Sequence, residues 1–289
     1  MFIPAGPLKA AWKKELPMED KCCSRFARTV LGPLLAVTMA ACGPVALAGS
    51  SPFGRTTSAS MASSTNAGDT GQTGSWAREF LTASPYTSLV VTVDYVPGEM
   101  PSPAALSLLQ ARLTDLCHKP DGVSVLIGSP IAGNASGVYA DSDVVALAAS
   151  NRKLHASGTT LALYVLYLDG RSALTNPNAA CATLGRALQA TSFCVFRETV
   201  LTEASSIGSS PLEVEAAVLL HETGHILGLV DFGTPLTSAH EDLQHPNHCT
   251  DPACVMSWLM TGSNAGSAGL ASIDFDPACR ADLRANGGN

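Results

Sequence analysis

The sequence predicts an α/β (α+β) domain: a twisted, mostly parallel sheet with a long buried helix packed beside it. Three observations predict this. Apolar β-branched runs alternate with stretches of helical spacing between residues 88 and 168. A capped apolar helix opens at Ser210-Pro211. The chain has 289 residues, 46% hydrophobic and 14% charged, which suits one folded unit of about 200 residues beside a segment of small polar residues.

Taken in order, residues 88–96 (SLVVTVDYV) form a first strand, and 103–117 a helix with Leu106, Leu109 and Leu113 on one face. A second strand covers 123–127. Residues 143–154 suit a helix capped by Asp141 or Ser142, and 160–168 (TLALYVLYL) a third strand ending at Asp169-Gly170, where a turn is expected. Residues 192–200 read as a shorter strand at or near an edge. The best-defined helix starts at Ser210, whose hydroxyl can cap the first turn while Pro211 fits the first helical position and Glu213 completes a capping box. It runs to about Leu227, where Gly228 can end it.

Ahead of the domain, Lys21, Arg25 and Arg28 precede an apolar run at 30–41, which is too short to span a bilayer comfortably and reads as an export signal, with Met18 as a natural start. The run ends Met39-Ala40-Ala41-Cys42. That sequence resembles the lipobox of bacterial lipoproteins, which implies acylation of Cys42 and a lipid-anchored envelope protein; an ordinary cleaved signal and a secreted protein are the alternative. Residues 42–80 read as a flexible tether and 81–289 as the domain. Removing residues 1–41 takes six of 17 basic and three of 24 acidic side chains, leaving 11 against 21 and a net charge of −10. So acidic a body excludes nucleic acid as an expected partner, and nothing suggests more than a monomer. Six cysteines remain after Cys42: Cys117, Cys181, Cys194, Cys249, Cys254 and Cys279. An even number in an exported chain predicts disulfides, with 15 possible connectivities.

The chemistry sits at His221-Glu222-Thr223-Gly224-His225. Four residues apart on a helix, the two imidazoles share a face and can grip one tetrahedral zinc ion. Glu222 is placed to reach water held by that ion, take its proton and pass it to a leaving amine. The apolar flanks make this a buried helix, where unpaired His and Glu would be costly. These residues predict a zinc-dependent endopeptidase acting on peptide or protein substrates. A non-catalytic zinc-containing surface lipoprotein and a zinc hydrolase of cell-wall peptides are the competing functions.

The pattern H-E-x-x-H-x-x-G-x-x-D over 221–231 resembles the metzincin clan of zinc peptidases. That resemblance implies a metzincin-like zincin fold with a C-terminal helix, and makes Asp231 a candidate third ligand. Further on, His248-Cys249 and Cys254-Val255-Met256 resemble the archaemetzincins. This implies His248 as the preferred third ligand, Met256 as the Met-turn beneath the metal, and residues 229–247 as an insertion. His240 is a third possibility. The archaemetzincin pattern also carries a second, structural zinc on four cysteines. Here Asp276-Pro-Ala-Cys279 lacks one of them, so a disulfide among Cys249, Cys254 and Cys279 is expected at least as much as a second zinc. His118, His155 and His245 have no motif around them and read as surface residues.

Overall fold

The computed structural model describes residues 37–38, 71–175 and 182–289. The basic start of the signal, Cys42, Cys181 and residues 43–70 lie outside the described residues. In chain order the elements are β1 (Val37–Thr38), α1 (Ala77–Leu81), β2 (Ser88–Tyr95), α2 (Pro103–Leu116), β3 (Val123–Pro130), β4 (Val138–Tyr139) and α3 (Asp141–Asn151). They are followed by β5 (Thr160–Leu168), β6 (Arg171–Ser172), β7 (Gly185–Gln189), β8 (Ser192–Phe196), α4 (Arg197–Ile207), α5 (Pro211–Ile226), β9 (Leu259–Met260) and α6 (Pro277–Ala285). None of the described helices is long and apolar enough to cross a membrane.

The central sheet has the order β3-β2-β5-β8-β7. Its first four strands are parallel, and β7 closes the edge antiparallel to β8. Both faces are covered, which is why β5 is apolar almost without interruption. Leu161, Leu163, Val165 and Tyr167 join the larger core with α2 and α5, while Tyr164, Leu166 and Leu168 join a smaller core with Val144 and Ala148 of α3.

The elements expected over 88–96, 103–117, 123–127, 160–168 and 210–227 lie close to expectation, and three segments differ. The helix expected from 143 begins at Asp141, because the Asp143 carboxylate accepts the Ala140 N–H at 2.9 Å and closes the first turn from inside. The strand expected over 192–200 stops at Phe196 and lies between β5 and β7; α4 takes the chain from Arg197 to Gly208, which ends it with φ 68°. The true edge strand, β7, precedes it. Residues 71–80, expected as the end of a tether, belong to the folded body, with Phe80 fully buried.

Helix α5 is held at its start by the predicted reciprocal cap: Ser210 Oγ accepts the Glu213 N–H, and Glu213 Oε2 accepts the Ser210 N–H, both at 3.2 Å. Every residue from Val214 to Ile226 is buried. At about 1.5–3 kcal/mol for each fully buried Val or Leu, this packing outweighs the cap, which contributes about 1 kcal/mol. The cap fixes where the helix starts; the sheet and α2 and α4 beside it hold it in place.

Candidate metal centre

Packing on both sides of α5 brings three histidines to one point. His221 and His225 lie one turn apart with their Nε2 atoms 3.1 Å from each other, and His248 reaches the same place from the loop after the helix. One ligand atom from each of the three lies within 4.8 Å of the others. The rings are arranged edge-on and stacked, with centroids 4.7 to 5.3 Å apart.

Hydrogen bonds aim two of these rings. His221 Nδ1 bonds the Val255 carbonyl at 2.7 Å, which leaves Nε2 as the free lone pair. His248 Nδ1 faces the carbonyls of Pro246 and His245 at 3.1 and 3.2 Å, with the same effect. His248 Nε2 is then buried with no hydrogen-bond partner among the described residues, and so is Glu222 Oε1. Such orphaned atoms are costly unless something polar or charged sits between them. A divalent cation fits, since the three nitrogens supply the neutral donor set that zinc prefers.

Burial sets the protonation states. It lowers the His221 pKa to about 3, helped by neighbouring His248, and the His248 pKa to about 4. His225 falls well below its ordinary value, again through burial and then the charge of its two neighbours. All three are therefore neutral near pH 7, as ligation requires. Burial pushes Glu222 up to about 8, opposed by Arg186 and by a hydrogen bond from the Ala187 backbone. A bound cation would act in the opposite sense and favour its ionised form.

Two glycines make room for this arrangement. A Cβ on Gly224 would stand 2.3 Å from Met256 Sδ, so only glycine lets the methionine pass beneath the helix. A Cβ on Gly185, in edge strand β7, would stand 2.7 Å from Glu222 Oε1. The edge strand thus defines the position of the Glu222 carboxylate. Sequence reasoning missed both glycines, because neither sits at a turn.

Neither alternative third ligand is at this point. Asp231 is exposed, with φ 60° just beyond the helix end, and Val230 beside it has φ 57°. His240 lies beside a second cluster, its Nε2 3.6 Å from Cys279 Sγ and 3.2 Å from Asp282 Oδ2. His245, expected on the surface, stacks face to face on Trp258 at 3.7 Å and bonds Asp242 at 2.7 Å.

The second cluster corrects the expectation of disulfides. Cys249, Cys254, Cys279 and Asp276 place one ligand atom each within 4.8 Å of one another, and no disulfide joins the described cysteines. Cys254 and Cys279 Sγ lie 3.8 Å apart, against about 2.05 Å for a bonded pair. Backbone N–H groups of Met256 and Asp276 point at Cys254 Sγ at 3.4 and 3.3 Å, and that of Asp251 at Cys249 Sγ at 3.4 Å. Hydrogen bonds from the Cys254 and Cys279 thiols hold the Cys249 thiol far below its ordinary value, and the same bonds push Cys254 and Cys279 up, so the metal-free cluster carries one negative sulfur shared among three. With Asp276 in place of a fourth cysteine, this donor set fits a metal ion. Cys117 and Cys194 stand in the two separate cores, and burial pushes Cys117 up to about 12.

No family model and no curated protein matches the chain. Among solved structures, an archaemetzincin from Methanopyrus kandleri is similar with a TM-score of 0.44 and 16% identity, over 69% of this chain and 96% of that one. A zinc-dependent peptidase from Methanocorpusculum labreanum gives a TM-score of 0.39 and 14% identity, over 67% of this chain and 99% of that one.

Proposed function

We propose that this chain is a zinc-dependent peptidase whose metal is held by His221, His225 and His248, with Glu222 as the group that moves the proton. The observation that carries this reading is the convergence of three neutral imidazoles beside a carboxylate that has one buried, unpartnered oxygen. When bound, zinc supplies Lewis acidity, which activates water near neutral pH and polarises a carbonyl. Everything else falls to the chain. His221 and His248 are kept in one tautomer by the carbonyls at their Nδ1 atoms. Glu222, fixed by the Ala187 N–H and by the space at Gly185, accepts the proton of the attacking water and returns it to the leaving amine. Met256 lies under the helix as an apolar floor.

Cys249, Cys254, Cys279 and Asp276 suit a second zinc with a structural task, since all four possible positions are taken by protein atoms. Residues 18–42 remain our reading of an export signal that ends at a lipidated Cys42, and membrane fractionation of wild type against Cys42→Ser tests it.

One observation favours a non-catalytic metal protein: His221, Glu222, His225 and His248 are 0, 1, 2 and 3% exposed. The two functions separate in one experiment. Hydrolysis of an unstructured protein by wild type should stop with a chelator and resume with zinc. Glu222→Gln should keep its zinc and lose about 10²–10⁴-fold in turnover, the usual contribution of acid–base catalysis. Wild-type turnover in that variant refutes the mechanism, and a zinc-loaded wild type without any turnover supports the non-catalytic function.

A further inference from the structure

His248 arrives at the site on a loop that runs between α5 and β9, while His221 and His225 are fixed by the helix itself. The carbonyls of His245 and Pro246 that accept its Nδ1–H stand three and two residues earlier in the same loop. They fix the ring relative to the loop, and the loop must in turn be fixed relative to α5. Much of its bonding is internal: Asp242 N–H donates to the His248 carbonyl at 2.8 Å, His245 N–H to the Asp242 carbonyl at 2.9 Å, and Thr250 N–H to the His240 carbonyl at 2.9 Å. Contacts that lead out of the loop bracket His248. After it, Cys249 N–H donates to the Met256 carbonyl at 2.8 Å; before it, the His245 ring lies on Trp258 with centroids 3.7 Å apart and planes 7° apart. Both partners belong to residues 256–258, next to Val255, whose carbonyl aims His221. One strip of chain thus orients a helix ligand and a loop ligand against each other. We propose that Trp258 is a positioning residue for the histidine site: by stacking on His245 it fixes the loop whose carbonyls aim the His248 ring.

Three physical points support this, and the inference rests on the reading of His248 as a metal ligand. Near-parallel rings at this separation touch over their faces, so any shift of the loop away from the strip opens the contact. The His245 ring is also held from its edge, because its Nδ1–H donates to Asp242 Oδ2 at 2.7 Å and turning away from the indole would break that bond. Ring orientation reaches metal affinity because an imidazole whose other nitrogen is hydrogen-bonded is kept in one tautomer and one direction. Trp258, His245 and Asp242 are partly exposed while His248 is buried, so the clamp can be altered from the surface without opening the core.

The test compares the full chain as wild type, Trp258→Ala and Trp258→Phe, with His248→Ala as the reference for loss of the ligand. In metal-free protein, proton NMR follows the His248 Nδ1–H beside the His221 Nδ1–H, which Val255 holds. In Trp258→Ala the His248 proton should exchange with water at least about tenfold faster, as expected where a local contact is lost, and the His221 proton should keep its wild-type rate. Zinc affinity, taken at the site that His248→Ala weakens and read by competition with a chromophoric chelator, should fall about tenfold, the lower end of the loss when the partner behind a metal ligand is removed. Trp258→Phe keeps a ring face and should restore both readings to within about threefold of wild type. An unchanged His248 proton in Trp258→Ala overturns the proposal. Equal acceleration of both protons also overturns it, since that marks a general loss of stability, and so does a Phe variant no better than Ala. If Trp258→Ala frees the His248 proton but His248→Ala binds zinc as the wild type does, the clamp stands and the ligand reading falls. If the affinities follow the expected order and no sample hydrolyses protein, the clamp stands and the peptidase reading falls.

Discussion

Gly185→Ala isolates the placement of Glu222 from its chemistry. The added methyl would lie 2.7 Å from Glu222 Oε1, 2.8 Å from Cγ and 3.0 Å from Cδ. Ordinary contacts begin near 3.4 Å, so the carboxylate has to retreat by more than half an ångström or the edge strand has to bend. Because β7 is tied to β8 by a backbone ladder and Glu222 is a side chain, the carboxylate is the part that moves. Misplacing a catalytic group by about 1 Å costs on the order of 10²-fold in rate. The variant should therefore show turnover reduced about 30- to 100-fold, with zinc content unchanged because the three atoms nearest the added methyl all belong to Glu222. The assays are steady-state hydrolysis of an unstructured protein and zinc per chain by mass spectrometry. Turnover within threefold of wild type would show that Glu222 is not the proton carrier, or that it works from another position. Loss of zinc together with activity would refute the separation of placement from binding.

Further outcomes concern the ligands and their protonation. His248→Ala should lower zinc affinity at least as much as His225→Ala, while Asp231→Asn, exposed beyond the helix end, should leave it near wild type; metal content of the purified variants decides between them. Cys279→Ser should lower the stoichiometry at the second cluster and leave free-thiol counts otherwise intact, whereas a disulfide there would show as thiols missing from the wild type under denaturing titration. The metal-free protein should lose stability as pH falls below about 6.5. Its buried histidines have folded-state pKa values near 3 and 4, so the unfolded chain binds more protons in that window and stability falls with pH. For His248 alone the full effect near pH 4 is about 3 kcal/mol. Glu222, whose raised pKa adds stability as pH falls, acts in the opposite sense, so urea melts of metal-free Glu222→Gln at pH 7.5 and 5 check the direction, and equal midpoints there would contradict neutral buried histidines.

Much of the scaffold was legible because its signals are local. Thr160–Leu168 is a run of residues that fit a strand buried on both faces, and it occupies the range expected. Ser210, Pro211 and Glu213 mark a helix start through atoms three residues apart, and all three act as expected. The segment after 192 was harder. Phe193 to Phe196 is apolar and Val200 continues the impression of a strand, while α4 itself (RETVLTEASSI) is rich in residues with weak helix preference. Its helical state depends on distant partners: Glu198 accepts the Gly170 N–H at 3.0 Å, and Arg197 Nε lies 3.8 Å from Glu215 of α5. The metal centre shows the same division. His221, Glu222 and His225 could be read from one helical turn, but spacing alone left three candidates for the third histidine's place. The cysteines misled for a related reason. Their even number pointed to disulfides, and the approach of Asp276 and Cys279, at the start of the last helix, to Cys249 and Cys254 gives the cluster its character as a donor set.

The division of the histidines between a helix and a loop has a consequence for biosynthesis. His221 and His225 are displayed as soon as α5 forms, but two imidazoles make only half a site. The third arrives on a loop whose neighbours Cys249 and Cys254 are gathered against Cys279, a residue of the last helix. Closing that loop costs chain entropy, which is recovered only when the far end of the chain docks. A chain still being synthesised, or one clipped before α6, therefore presents a weak two-histidine chelate rather than a complete centre. Metal capture becomes a late event in the life of the molecule, and tight binding certifies that the whole domain has been made.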